Sequence, residues 1–175
     1  TFMEQNNGKL FVNSPNTLEG NYTDKLDTAS ADFQKTASVV DVICDGEANV
    51  FENVRNLVSI LPENNNEIGG MEECLDDLNR LVPDFAAEVK DPAAALEDLG
   101  DNNFFLELKK DFAKEMVTGF ISLDGMTVGC VANRKETFVE GEKTAEYKNS
   151  LTAQGCEKAA DFVNFCDAFN IPVLT

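Results

Sequence analysis

The chain has no histidine among its 175 residues, and its five cysteines, Cys44, Cys74, Cys130, Cys156 and Cys166, never fall in a C-x-x-C pair. Together these absences exclude zinc-finger arrangements, a Cys-His nucleophile and the usual Ser-His-Asp triad. Positive charge is scarce too. The 14 Lys and Arg stand against 32 Asp and Glu, a formal charge of -18 that opposes nucleic acid or anionic lipid as a partner. No run approaches the roughly 18 consecutive apolar residues of a membrane helix, and the opening TFMEQNNGK lacks the basic and apolar regions of a signal peptide. The expectation is a cytoplasmic chain whose thiols are reduced and buried, since most lie in apolar runs such as VVDVIC and FVNFC. No G-x-G-x-x-G loop is present, which argues against a Rossmann fold. ENNNEIGG, residues 63–70, lacks the alternating Asp ligands of a calcium loop and reads as a linker, so no metal set is expected. Glu72-Glu73 and Asp76-Asp77 are adjacent in sequence, point apart on a helix, and read as a solvated face.

What is there begins with Asp124-Gly125, a two-residue turn of the kind that needs positive φ at both centres. It predicts a hairpin of strands at Met116 to Leu123 and Met126 to Asn133. Gly119 and Gly129 lie inside those strands and predict a bulge or the close approach of another backbone or a ligand, the plain alternative being a packing glycine. TFMEQ, Asn7-Gly8 and KLFVN predict a second hairpin at the N-terminus, with Pro15 ending it. Because the chain opens and closes on strands, it is expected to be cut from something longer.

SVVDVIC, Ser38 to Cys44, predicts a short buried strand. After it, Val50, Val54, Leu57, Val58 and Leu61 share one helical face up to Pro62. Further helical pieces are expected at Met71 to Leu81, Pro92 to Leu99 and Phe104 to Ala113. KETFVEGEKTAEYKNS reads as a solvent-exposed excursion. Thr152 caps a helix that buries Ala159, Phe162, Val163, Cys166 and Phe169, Asn170 ends it, and Pro172 admits the buried strand IPVLT. The fold class is α/β, with a hairpin followed by a right-handed crossover back to the sheet. Phe162, Phe165 and Phe169 read as core or subunit-contact residues, and Cys130 and Cys166 as core packing.

At this point VTGFISLDGMTVGCVANR and GCEKAADFVNFCDAFNIPVLT resemble the opening of the C-terminal half of biotin-dependent acyl-CoA carboxyltransferases, with FCDAFNIP as the most specific stretch. FVNSPN and VRNLVSILPENNNE are similar to the end of that family's N-terminal half. The resemblance implies a partial crotonase-like fold, a spiral of strand-strand-helix units spanning the junction of two related domains. Residues 1–66 would end the first half, 67–102 would link, and 103–175 would start the second. It further implies transfer of a carboxyl group between biotin on a carrier protein and a short acyl-CoA, with propionyl-CoA and methylmalonyl-CoA favoured. Some family members work in sodium-pumping decarboxylase complexes.

That chemistry passes through a thioester enolate and a ureido anion, both stabilised by backbone N–H groups, and deprotonated biotin can take the acyl proton. No histidine is needed. The family's glycine-rich oxyanion segments lie outside these 175 residues, so no catalytic residue is expected in the chain and the segment alone should be inactive. The alternative is a non-catalytic binding or assembly module that keeps the scaffold. Ala132, Asn133 and Arg134, ending a strand at a domain edge, are the candidates for contact with substrate or biotin. The implied partners are an acyl-CoA, a biotin carboxyl carrier protein and further copies of the chain; no lysine sits in a setting resembling a biotinyl site.

Overall fold

The computed structural model describes residues 1–11, 27–67, 74–77, 79–83, 85–139, 142–148 and 150–175. It divides into two compact units, Thr1–Asn56 and Leu57–Thr175, each taken by itself below.

In the first unit β1 (Phe2–Glu4) pairs in parallel with β2 (Val42–Cys44), Met3 opposite Ile43. The expected N-terminal hairpin does not form. The Glu4 carboxylate gathers the N–H groups of Asn6, Asn7 and Gly8, which turns the chain at once, and Lys9 bridges Ser30 instead of pairing back onto β1. Val12, Asn13 and Pro15, the rest of that expectation, lie outside the described residues. β2 is shorter than expected because Ser38 takes a left-handed φ of 62° and bends the chain before it. The short helix α1 (Ala31–Gln34) is capped by Ser30, and Ala31 packs with Met3 and Val40. Helix α2 (Glu47–Ile60) follows Gly46 at φ 88°, and ends ahead of Pro62 as expected. None of its residues is fully buried, and the expected apolar face holds in part: Val58 is 66% exposed and Val54 also faces solvent, whereas Leu57 and Leu61, within the second unit, pack against the cluster of Phe120, Phe162, Cys166 and Ile171.

The second unit is built on a four-stranded sheet in the order β3 (Phe105–Leu108), β4 (Met116–Leu123), β5 (Met126–Asn133), β8 (Val173–Leu174). β4 (Met116–Leu123) and β5 (Met126–Asn133) pair antiparallel over their full length with the expected bounds and unbroken register, so neither internal glycine makes a bulge. Asp124 and Gly125 adopt φ of 51° and 75°, a turn with both centres left-handed. A Cβ on Gly129 would lie 2.6 Å from Cys166 Sγ, and one on Gly119 would meet the Leu106 carbonyl and the Phe105 ring. Both glycines are close-approach sites, one for a helix and one for the neighbouring strand.

Phe104 to Ala113 is not a helix. Phe105–Leu108 forms β3 against β4, and left-handed Lys109 and Ala113 then turn the chain, because strand pairing takes up residues whose apolar pattern suits either period. Helices α3 (Phe85–Glu88) and α4 (Pro92–Leu99) precede it, the latter starting at an Asp91 cap with Pro at its first position. The described residues from Cys74 to Leu81 are not helical either. Arg80 is drawn to Asp76 and to the carbonyls of Asp98 and Gly100, and the Asp76 carboxylate also accepts from Asn102 N–H. Asp76 is therefore engaged rather than solvated, while Glu72 and Glu73 lie outside the described residues.

The charged stretch is exposed, as expected, but folds as a hairpin of β6 (Glu136–Val139) and β7 (Glu142–Glu146), with Lys143 reaching Glu146 and Glu136. Helix α5 (Ala153–Ala168) begins at the Thr152 cap, whose hydroxyl accepts from Gly155 N–H at 2.9 Å. It ends at Asn170, φ 55°, where Asn170 N–H reaches the Asp167 carbonyl and Ile171 N–H reaches that of Cys166, a Schellman motif with asparagine in the glycine position. Phe162 and Cys166 are buried with Phe120 and Ile171, whereas Val163 is 42% exposed. β8 (Val173–Leu174) then returns parallel to β5, an exposed edge strand rather than a buried one.

Candidate functional site

The three predicted contact residues leave β5 together but meet different surroundings. Ala132 helps line an apolar cavity of about 260 Å³, walled by Pro92, Ala95, Leu96 and Leu99 of α4 and floored by Cys130 and Val131. Asn133 is exposed. Arg134 is only 5% exposed, and all three of its guanidinium nitrogens are taken up by the protein. Nε donates to Asp91 Oδ1 at 2.8 Å, Nη2 to Glu107 Oε1 at 3.1 Å and Nη1 to the Lys114 carbonyl at 3.2 Å. The structure therefore corrects the direct role expected of Arg134. A guanidinium bound to two carboxylates has little left to offer a ligand.

A second buried cation stands behind the first. Lys158 is 1% exposed, and its ammonium donates to the carbonyls of Lys109 (2.8 Å) and Phe112 (2.9 Å), holding the turn between β3 and β4. Burial pulls its pKa down from the ordinary 10.5 to about 8; Glu107 and Glu115 pull it back up, while Arg134 and Lys109 push it further down. Sequence reasoning missed Lys158, Asp91 and Glu107. A signal existed for the lysine: Lys158 and Phe162 are four apart, so both fall on the buried face with Gly155 and Cys166.

The thiols divide by place. Cys44, Cys130 and Cys166 are buried as expected, but Cys74 is half-buried and Cys156 is exposed; all five are free. Burial pushes Cys130 up to about 12, aided by the neighbouring Cys166, and pushes Cys166 up to about 11. Held protonated, neither is a nucleophile near neutral pH. Among the described residues no group of three or more His, Cys, Asp or Glu is placed to hold a metal ion, and no helix is long and apolar enough to cross a membrane.

An antiparallel hairpin recrossed by a helix and a parallel strand, with an apolar recess at the strand ends, defines a mixed α/β unit. Comparison with known proteins places it further. The profile of the carboxyl transferase domain matches residues 1–175, and the chain belongs to that family. It is 34% identical to the propionyl-CoA carboxylase beta chain of Roseobacter denitrificans, over 99% of this chain and 34% of that one. It is 32% identical to the propionyl-CoA carboxylase carboxyltransferase subunit of Haloferax mediterranei, over 100% and 34%. Among solved structures, transcarboxylase 12S, a hexamer with hydrolysed methylmalonyl-CoA bound, superposes with a TM-score of 0.77 at 24% identity, over 98% of this chain and 34% of that one. That likeness establishes the fold. The chain spans about a third of the length of the relatives it matches.

Proposed function

We propose that the full-length protein moves a carboxyl group between carrier-bound biotin and a short acyl-CoA, with propionyl-CoA and methylmalonyl-CoA as the favoured pair. The observation that carries this is the family match along the whole of residues 1–175, joined to 34% identity with a propionyl-CoA carboxylase beta chain. In this reading residues 1–66 close one crotonase-like spiral, 67–102 link, and 103–175 open the second. The protein works in the cytoplasm as a homo-oligomer with a biotin carboxyl carrier protein, alone or within a sodium-pumping decarboxylase complex.

The biotin would supply the carboxyl group or accept it. The residues present fit a supporting part in that chemistry. Ala132 and the apolar recess it lines suit a short acyl group and exclude water from it, and Asn133, the next residue, presents an exposed amide at the end of β5. The enolate of the thioester needs positioned N–H donors, and those belong to the glycine-rich segments outside these residues. The neutral, buried thiols of Cys130 and Cys166 take no covalent part. Incubating the full-length subunit with labelled methylmalonyl-CoA and biotin, or a biotinylated carrier, should move label onto biotin. An absence of exchange with every short acyl-CoA would refute the reading and favour a non-catalytic assembly module.

A further inference from the structure

We infer that Arg134 is a positioning residue: through Asp91 and Glu107 it locks the start of α4 to the ends of β3 and β5, and so sets both the recess that Ala132 lines and the strand end at Asn133. The inference rests on the reading that those two residues face substrate or biotin. Asp91 does two jobs at once. Its side chain accepts from Ala93 N–H at 3.2 Å, which starts α4, and the same Oδ1 accepts from Arg134 Nε at 2.8 Å. The backbone repeats the link one residue on, where Lys135 and Glu136 N–H both donate to the Lys90 carbonyl at 3.0 and 2.9 Å. Lys90 Nζ also lies 3.6 Å from Glu136 Oε2. Residues 90 and 91 are therefore tied to residues 134 to 136 by side chain and backbone alike, just past the strand that floors the recess.

The consequence is geometric. α4 supplies one wall through Pro92, Ala95 and Leu96, and β5 supplies the floor through Cys130, Val131 and Ala132. With its cap residue pinned to the end of β5, α4 cannot slide along the sheet without breaking a buried ion pair. Lysine cannot replace arginine here, because a single ammonium cannot meet Asp91, Glu107 and the Lys114 carbonyl in three fixed directions.

A brace that merely adds stability would look similar, so the test needs a control at the other end of the same hairpin. Asp101 is such a control: buried, it accepts from Ser122 Oγ and from the N–H groups of Asp124 and Gly125, far along β4 and β5 from Arg134. In the full-length subunit, Arg134→Lys is compared with Asp101→Asn by amide hydrogen exchange and by carboxyl-exchange kinetics. Arg134→Lys is expected to speed exchange at the Arg134, Lys135 and Glu136 amides, and to raise KM for acyl-CoA or for biotin by about tenfold with kcat within about twofold. Asp101→Asn is expected to speed exchange at Asp124 and Gly125 and leave both KM values unchanged. If Arg134→Lys does not fold, Asp91→Asn carries the same expectations. Unchanged amide protection at residues 134 to 136, or a KM change no larger than in Asp101→Asn, overturns the inference. A wild-type subunit without carboxyl exchange refutes the proposed reaction instead, and the amide protection then decides the positioning role by itself.

Discussion

The two ends of the β4–β5 hairpin are fastened by opposite means. At the turn, one buried carboxylate, Asp101, collects a hydroxyl and two backbone N–H groups, all contributed by residues 122 to 125. At the open end two buried cations do the fastening: Arg134 on Asp91 and Glu107, Lys158 on two carbonyls of the β3–β4 turn. The turn needs an anion because left-handed Asp124 and Gly125 present N–H groups with no strand partner. The open end needs cations because carbonyls and acidic side chains from several segments converge there. A buried anion and buried cations thus serve the same purpose, which is to satisfy whatever the local backbone leaves over.

If that comparison holds, the largest effect belongs to Arg134→Met, which strands two buried carboxylates. It should cost about 3–5 kcal/mol in urea unfolding of the full-length subunit. A loss under about 1 kcal/mol would show that the carboxylates find other partners. Asp101→Ala, at the other end, leaves uncharged donors unsatisfied and should cost about 1–3 kcal/mol by the same measurement.

The contrast also marks what the sequence made legible. Asp124-Gly125 announced both strands with their bounds, and Thr152 and Asn170 announced α5, because each signal acts on its immediate neighbours. β3 was hidden: FFLEL becomes a strand only when β4 lies beside it. The same holds for the predicted site. Arg134 looked like a ligand contact at a strand end, and only its distance from Asp91 and Glu107, 43 and 27 residues away in sequence, shows that the fold consumes it. For Ala132 and Asn133 the sequence made legible only their place, at the end of β5.

Gly129→Ala probes the packing between the two ends. Its Cβ would press on Cys166 Sγ and the Phe162 ring, so a loss of about 1–3 kcal/mol is expected, against little change at an exposed position of β5 such as Met126→Leu. Differential unfolding of the two variants checks it.

The cations can be separated by pH. Lys158 has its folded pKa lowered to about 8, so burying the ammonium works against folding below that pH, where the lysine is charged in both states. As pH rises from about 8 to the ordinary 10.5, the folded chain loses the proton first and stability rises. Cys130 and Cys166 act in the other direction: raised to about 12 and 11, they cost stability as pH climbs past their ordinary 9.0. Both thiols remain in Lys158→Met, so the unfolding free energy of the wild type should gain on that of the variant steadily from pH 8 to 10.5, even where the thiols make both curves fall above 9.0. Parallel curves would show that Lys158 is not held charged against its burial.

The most direct test of the claim that the open end is built around Arg134 is a double-mutant cycle joining Arg134→Met and Asp91→Asn, read by urea unfolding of the full-length subunit. The account predicts a coupling of about 1.5 kcal/mol or more, since removing either charge should already forfeit most of what the pair contributes. Additive losses, with a coupling within about 0.5 kcal/mol of zero, would contradict it.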